Sequence, residues 1–583
     1  MRFVSLSGSP ILNRSLPWLS RALALAAMVV LVGLMPEIAG IDPTQTILRA
    51  RTGQQRLMTP EALEAVRMDL GLHRTSMERL WDWLTSLFQG DLGVSWISGN
   101  NVSQSIMSAA GTSLLLMACA FGLTVLFCAI SVQHTMWQWR RNRLDRLNGS
   151  ISTVLITLPE YVIATLLILF FAVWLNLLPP YGWQGWQNIW LPSLALALPA
   201  TGLFTKLLND SLRRVLDEPW VITWLSANIS SVHIGRYALR RALSNLLPQI
   251  AMIVIGLTGG AVTVEHIFSI PGIGRLTLGA TAAQDLPTLQ GGLLLLLIMS
   301  MAISSFAILL QHLWLGQGLK SGKLISSNPP LGFTKNRTKR IVSASIFLFL
   351  VGFALWAEMR DPYTSQFGRL ISPSLAAPLG SDAVGRDLLA RVGQGMLSTL
   401  SMGVLATVLS LLVGLIMGFN TKLSQGLIEV TKGTPYIVAG LLVAGLSGMH
   451  PNSALIAVVL VSWAPLASHC SSLLLEARAQ PHIRLAPLWG VGRWRMLRHY
   501  QLPYILPNLL RHTVMRFPAI TLSLTALSFI GLGAKPPHPE WGLLIAESLP
   551  YIERAPQAVL APILGLVLVS IAINLLFEDQ QEK

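Results

Sequence analysis

The chain has 583 residues, of which 52% are hydrophobic and only 12% are charged, and its formal net charge is +15. Soluble globular proteins carry about 25% charged residues, so this composition excludes a soluble enzyme, a disordered protein and a secreted disulfide scaffold. The sequence contains no aromatic–basic pattern suited to stacking bases. The positive excess is therefore assigned to the cytoplasmic loops of a membrane protein and not to nucleic-acid binding.

Membrane spans can be predicted in chain order, because a helix needs about 20 mostly apolar residues to cross a bilayer. The first such segment, residues 21–40, predicts a retained signal-anchor helix. Further spans are predicted near residues 110–132, 151–178, 188–208, 246–265, 290–315, 342–357, 396–419, 427–447, 453–475, 512–532 and 559–577. The sequence thus predicts an all-α integral membrane protein with about twelve transmembrane helices, six on each side of a basic break.

The charges of the loops predict the orientation of these spans. Residues 133–150 contain four Arg and one acidic residue, and residues 316–341 contain six Lys and Arg and no acidic residue. The alternate loops at 179–187 and 448–452 contain no Lys or Arg. By the positive-inside rule the two basic loops are cytoplasmic, and counting the spans places both termini in the cytoplasm. Residues 41–109 then form an external segment.

Six spans, a basic linker and six further spans indicate two related halves. The predicted boundaries are 1–315 for the first half, 316–341 for the linker and 342–583 for the second half. Each half has a basic cytoplasmic stretch between its fourth and fifth spans, at 209–245 and 476–511. A glycine-rich turn follows the fifth span of each half.

Several ordered motifs carry a family resemblance. They are Pro378-Leu379-Gly380-Ser381-Asp382, the stretch 526–533 (ALSFIGLG), the stretch 268–275 (FSIPGIGR) and the stretch 285–291 (DLPTLQG). Over nearly its whole length the chain resembles the permease subunits of ABC importers of the dipeptide/oligopeptide/nickel group. The resemblance implies the type I ABC importer transmembrane fold. It also implies a fusion of two permease subunits that are separate chains in most such systems.

These permeases carry a cytoplasmic signature, EAA followed by glycine and a later proline, which couples them to the ATPases. In the second half its positions are occupied by Arg484, Leu485, Ala486, Gly490, Leu502 and Pro503. In the first half a degenerate copy is aligned on Trp224, Leu225, Ser226, Ser230 and Pro248. Both copies depart from the pattern. In the second half Arg484 replaces the acidic residue and Leu485 replaces an alanine, and in the first half Trp224, Leu225 and Ser226 stand at the EAA positions. The departure leaves open whether the ATPases carry matching changes or the coupling is weaker.

The resemblance also implies the partners. Two ABC ATPase subunits are expected to dock at about 217–235 and 480–495, and a periplasmic or extracellular binding protein is expected on the other face. ATP and Mg²⁺ would be bound by the ATPases, so this chain is expected to bind no cofactor itself. The expected location is the bacterial inner membrane, in contact with lipid, and the expected solute is a short peptide or a related small molecule.

Four features remain ambiguous as pathway or gate residues. Glu265 and His266 end a predicted span and either face the solute pathway or lie at headgroup level. Lys432 interrupts a weak span and either extends to the cytoplasmic surface or lines the pathway. The charged cluster around Asp382 either receives a binding protein or forms a capped amphipathic segment with its charges satisfied.

Two other classes of function compete with the importer. An ion-gradient-driven secondary transporter would require paired acidic residues or broken helices at mid-membrane. A non-transporting scaffold or sensor would be favoured if the altered coupling segments bind no ATPase. The sequence shows no nucleophile–base pair, metal-ligand set or phosphate-binding loop, so no catalytic or metal-binding residue is predicted.

Overall fold

The computed structural model describes residues 26–35, 44–52, 59–70, 74–141, 152, 155–156, 158–315, 337–448 and 450–578. Within these residues the chain is helical, and the only strand-like pairings are isolated bridges such as that between Val94 and Asn101. Residues 26–35, the described half of the predicted first span, are helical apart from a turn at residue 34. The rest of that span and most of the basic linker lie outside the described residues.

The N-terminal half begins with three short helices in the predicted external segment. They are α1 (Thr44–Thr52), α2 (Pro60–Asp69) and α3 (Ser76–Phe88). Helix α3 starts with a reciprocal capping box, in which the Thr75 hydroxyl accepts from the Glu78 backbone N–H and the Glu78 carboxylate accepts from the Thr75 N–H. Such caps satisfy backbone donors that a helix start leaves open.

Longer helices follow in the same half: α4 (Val102–Arg140), α5 (Glu160–Leu167, continued by a π-helical turn over Ile168–Trp174), α6 (Gln187–Leu216), α7 (Pro219–Ser226), α8 (Ser231–Ile267), α9 (Ile273–Ala283) and α10 (Leu286–Leu315). Helix α7 is the short element of the basic stretch, and α9 is the short element after the fifth predicted span.

The C-terminal half has a matching order: α11 (Arg337–Glu358), α12 (Leu388–Phe419), α13 (Thr421–Lys432), α14 (Tyr436–Ser447), α15 (Ser453–Ala479), α16 (Pro481–Leu485, followed by a 3₁₀ turn over Ala486–Trp489), α17 (Arg493–Met496, followed by a π-helical turn over Leu497–Gln501), α18 (Leu502–Phe529), α19 (Trp541–Ser548, followed by a 3₁₀ turn over Leu549–Tyr551) and α20 (Pro556–Glu578).

Eight helices in the described ranges are long and apolar enough to cross a membrane, and α13 and α14 make a ninth if they are counted as one broken span bent by 102°. The eight segments are Val102–Arg140, Gln187–Leu216, Gln249–Ile267, Leu286–Ile303, Arg337–Glu358, Leu388–Phe419, Ser453–Ala479 and Pro556–Leu576. The predicted spans at 151–178 and 512–532 correspond to the shorter apolar helix Glu160–Trp174 and to α18. The fold class predicted from the sequence is confirmed.

Close helix packing depends on small residues. In α12, Gly414 and Gly418 face α15, and a Cβ atom would lie 2.9 Å from Leu466 Cβ in the first case and 2.7 Å from Cys470 Cβ in the second. This small-xxx-small arrangement lets two helix backbones approach where no hydrophobic effect drives association. Cys470 is buried and unpaired in this contact, as expected for a small apolar filler.

The two halves share one hydrophobic core, to which both contribute buried residues such as Leu257 and Leu293 before the linker and Leu441 and Leu527 after it. Helix α14 is central to the junction, because it packs on α8, α9 and α10 of the N-terminal half and on α15 and α18 of its own half. The junction is therefore an interior and not a loose interface between separate domains.

Candidate functional site

The predicted coupling segment of the second half, at about 480–495, is a short helix followed by a tight turn. Ile483 and Ala486 point inward and pack in a cluster with residues of α15 and α18. Arg484 and Leu485 are exposed on the outer face. Gly490 ends the 3₁₀ turn in the left-handed conformation, with a φ of +77°, which glycine adopts without steric cost. Leu502 and Pro503 begin α18.

The first-half segment has the same construction from different residues. Helix α7 buries Val221, and Trp224 is half-buried against Trp220 and Tyr237 with ring centroids 5.0 and 5.2 Å away. The other three positions of the degenerate signature before α8 are exposed, namely Leu225, Ser226 and Ser230. Ser230 precedes the first residue of α8, and Pro248 lies within α8.

Backbone conformation relates the two segments by a constant separation of 262 residues. Pro219 and Pro481 both stand at the first position of their helices, and the buried residues Val221 and Ile483 follow two positions later. Asn228, with a φ of +60°, then corresponds to Gly490. The structural counterpart of Gly490 is thus Asn228. The sequence instead predicts Ser230, two residues later, as that counterpart.

Both segments leave apolar side chains uncovered. In the first half Ile222 is 66% exposed, and in the second half Leu488 and Trp489 are 79% and 70% exposed. These residues lie in basic stretches between spans, away from the apolar windows of the membrane-crossing helices. Contiguous exposed apolar groups at such a place are typical of a protein-docking surface.

Glu265 joins three elements near the opposite end of α8. It is fully buried, and its Oε1 accepts a hydrogen bond from the Ser113 hydroxyl of α4 at 2.5 Å. Its Oε2 accepts from the backbone N–H groups of Gly274 and Arg275 at 2.8 and 3.2 Å, at the start of α9. A Cβ atom at Gly272 would collide with the carboxylate. We call this arrangement the first carboxylate clamp.

A second carboxylate clamp occurs in the C-terminal half. Glu540 Oε1 accepts from the Thr399 hydroxyl of α12 at 3.1 Å, and its Oε2 accepts from the Leu543 N–H of α19 at 3.0 Å. The Thr399 hydroxyl accepts from the Trp541 N–H, as the Ser113 hydroxyl accepts from the Ile273 N–H. Each clamp therefore ties a short helix to a long one. The first ties α9 to α4, and the second ties α19 to α12.

The remaining predicted pathway residues are placed differently. His266 is exposed beside the buried Glu265. Lys432 is the last residue of α13, half-buried at the bend into α14, with Glu429 and Arg516 as its charged neighbours. A cation at a helix C-terminus is favoured by the helix dipole. Whether these residues contact solute stays a prediction.

The charged cluster before α12 is internally paired. Asp382 Oδ2 accepts from Arg386 Nε at 2.7 Å and also from Arg391, whose other nitrogen donates to Glu547 at 2.9 Å. Burial acts to raise the pKa of Asp382, but the N–H and guanidinium of Arg386 together with Arg391 and the Val384 N–H hold it below its ordinary value. The charges are satisfied within the fold, as the capped-segment alternative expected.

Sequence reasoning missed a polar contact between the halves. The Glu160 carboxylate, at the start of α5, accepts a hydrogen bond of 2.9 Å from the hydroxyl of Tyr436, at the start of α14. The neighbouring Tyr161 hydroxyl lies 2.7 Å from the hydroxyl of Thr525 in α18. An acidic residue within a predicted span, directly after a proline, is the sequence signal by which this site could have been found.

Comparison with known proteins identifies the chain. The family model described as "Binding-protein-dependent transport system inner membrane component" matches it twice, at residues 126–317 and 406–578. The chain belongs to this family. It is therefore a multi-pass transmembrane component of an ABC importer, and proteins of this family work with ATPase and substrate-binding partners.

Individual relatives agree. A protein of Brucella abortus provisionally named a peptide transport system permease is 30% identical over 258 residues, which are 42% of this chain and 81% of the relative. Glutathione transport system permease proteins of Pectobacterium atrosepticum and Escherichia coli are each 30% identical, over 46% of this chain and over 87% and 85% of their own lengths. Each relative thus corresponds to about one half of this chain.

Proposed function

We propose that this single chain supplies both transmembrane halves of an importer for short peptides or a related small solute. The names of the relatives support this class of solute. The halves are 1–315 and 342–583, joined by a basic cytoplasmic linker at 316–341, and both termini lie on the cytoplasmic side. The chain itself does no bond chemistry, since ATP and Mg²⁺ are bound and ATP is hydrolysed by separate ATPase subunits.

The observation that carries the proposal is the pair of coupling segments. Each combines a short proline-initiated helix, a buried aliphatic residue at the third position of that helix and a left-handed turn, and each leaves apolar side chains exposed. Two such surfaces suit two copies of a similar partner, one beneath each half. In protein interfaces, a few well-packed side chains near the centre supply most of the binding energy, and an exposed apolar residue on a short helix or turn can take that place. The first-half surface covers about 217–235 and the second about 480–495.

Long helices connect these surfaces to the opposite face of the protein. Helix α8 has 37 residues and therefore extends about 55 Å, from the first coupling segment to the first carboxylate clamp. Helix α18 runs from the second coupling segment to the contact with the other half, where Thr525 meets Tyr161. When the ATPases close on ATP, movement of the coupling segments tilts these helices and alternates access to the pathway. A binding protein delivers solute on the far face.

Leu488→Asp tests the docking role. The chain is co-expressed with the ATPase subunits of its source organism, and ATPase retention is measured after purification through a tag on this chain. A charge in the apolar contact is expected to weaken retention by about tenfold or more. The matched control is Leu375→Asp, because Leu375 is fully exposed in the segment between α11 and α12.

Equal retention by the two variants would contradict docking at 480–495. If the unaltered chain itself retained no ATPase, the result would favour the scaffold or sensor function over transport.

A further inference from the structure

The contact between Glu160 and Tyr436 lies near the middle of the membrane-crossing region. Glu160 packs against α8 at Gly260, where a Cβ atom would lie 3.3 Å from the Glu160 Cδ and Cγ atoms. Gly260 is close to the centre of the apolar segment Gln249–Ile267. A carboxylate at this depth is costly in free energy and calls for a functional reason.

The contact joins equivalent points of the two halves. Pro159 and Pro435 are both extended residues immediately before a helix, with ψ of 159° and 144°. Glu160 and Tyr436 are therefore the first residues of α5 and α14, and these two helix starts meet. The partial positive charge of a helix N-terminus favours the Glu160 carboxylate, and the Tyr436 hydroxyl supplies its donor from the other half.

Neighbouring residues pack tightly across the same boundary between the two halves. Tyr161 and Thr525 are fully buried around their hydrogen bond, and the Tyr161 ring stacks on Phe529 with centroids 5.4 Å apart. A Cβ atom at Gly259 would lie 3.0 Å from Pro435 Cβ. In this conformation no solute passes between these side chains, so any passage requires the halves to separate here.

The partner of the Glu160 carboxylate across the halves is a neutral hydroxyl. Among the residues that the structure describes, no Lys, Arg or His forms an ion pair with it, and Tyr436 is its cross-half donor. Both residues are mostly buried, with a small exposed fraction each. Separation of the halves would remove the hydroxyl and leave an uncompensated carboxylate in a medium of low dielectric.

We propose that Glu160 is a solute-binding residue of the pathway, which exchanges the Tyr436 hydroxyl for a positively charged group of the passing solute. This inference rests on the proposed transport function. The chemical class it specifies is an organic cation such as an ammonium group, which the free amino terminus of a short peptide carries. An ammonium donates to a carboxylate with charge assistance and so replaces a neutral hydroxyl donor at a net gain.

The test compares Glu160→Gln with the unaltered chain, using dialanine and N-acetyl-dialanine as probes in proteoliposomes that contain the ATPases and the binding protein. The variant keeps the side-chain size and an acceptor for Tyr436 but removes the charge. For each probe the uptake of the variant is divided by that of the unaltered chain, so the selectivity of the binding protein cancels.

We expect the ratio to fall to about one tenth for dialanine and to stay near one for N-acetyl-dialanine. Equal ratios for the two probes would overturn the proposal, because a purely structural role affects both alike. Tyr161→Phe is the matched control, since it removes the other cross-half hydrogen bond without changing charge, and it should affect both probes equally.

A second measurement does not depend on transport. A hydrophobic carbodiimide labels carboxyl groups within membranes, and modification of Glu160 is followed by peptide mass analysis of the purified complex. Protection by dialanine and not by N-acetyl-dialanine supports the site, and equal or absent protection overturns it. Failure of the proposed function would be seen separately, as loss of ATPase retention by the unaltered chain.

Discussion

At the scale of single residues, Glu265 and Glu540 perform the same task from positions that do not match in the sequence. With the separation of 262 residues that relates the coupling segments, Glu265 corresponds to Leu527, which is not acidic. Glu540 directly precedes α19, whereas the residue directly before α9 is Gly272. Each carboxylate nevertheless satisfies the N–H groups of a helix start and binds a hydroxyl of a long helix. The geometry of the clamp is repeated although the residue that provides it is not.

Replacement of Glu265 by alanine should destabilise the protein. The change leaves the N–H groups of Gly274 and Arg275 without their acceptor at a largely buried place, whereas the Ser113 hydroxyl can still donate to the Ala109 carbonyl. Because each unsatisfied buried donor costs about 1–3 kcal/mol, the free energy of unfolding should fall by about 2 kcal/mol or more. Thermal unfolding in detergent, followed by tryptophan fluorescence, measures the loss. The exposed neighbour His266→Ala is the control, and an equal midpoint for the two variants would argue against the clamp.

The sequence predicted some of these residues and not others, for physical reasons. It singled out Glu265 because an acidic residue at the end of an apolar run stands out by composition. It could not assign the partner, since Ser113 lies 152 residues away in the chain and nothing in its own surroundings marks it. Glu160 was not singled out, since its partner Tyr436 lies 276 residues away in the chain and nothing in the local sequence marks that contact.

At the scale of elements, the coupling segments show which local signals persist. The predicted basic stretches do contain short helices, and the second-half turn is at Gly490 as its spacing suggested. The first-half register differs by two residues because Pro248 was used as the marker, and that residue lies inside a continuing helix. Asn228 is the better marker, since asparagine is among the few residues other than glycine that adopt the left-handed conformation readily.

Gly490→Ala should therefore weaken ATPase retention, whereas Gly492→Ala should not. Neither glycine has an atom within 4 Å of the position of a new Cβ atom, and only Gly490 has a positive φ, at +77°. The difference between the variants isolates backbone strain of about 1–2 kcal/mol, which corresponds to about fivefold or more in retention if the turn geometry is needed for docking. Co-purification at matched expression measures it. Equal retention would mean that the turn is not part of the docking surface.

At the scale of the whole molecule, the two halves are joined by a shared interior as well as by the chain. Relatives that are matched over more than four fifths of their length align with less than half of this chain, so a half is a natural unit. The order of apolar spans and basic loops predicted two halves and their parallel repeat. It did not predict that α14 would pack against three helices of the other half, because its apolar residues carry no information about which partner covers them.

Cutting the chain within the linker at residue 325 should yield two fragments that assemble. The buried junction supplies the association energy, since both halves contribute to one apolar core, and covalent connection adds only effective concentration. The fragments are co-expressed in the same membrane, one of them tagged, and recovery of the other is measured after purification.

The junction is probed with Gly259→Leu, whose added side chain would meet Pro435, a contact already at 3.0 Å for a Cβ atom alone. Gly256→Leu is the control in the same helix, because nothing lies within 4 Å of its Cβ position. We expect Gly259→Leu to reduce recovery severalfold and Gly256→Leu to leave it unchanged; recovery that is insensitive to both would show that the fragments associate elsewhere.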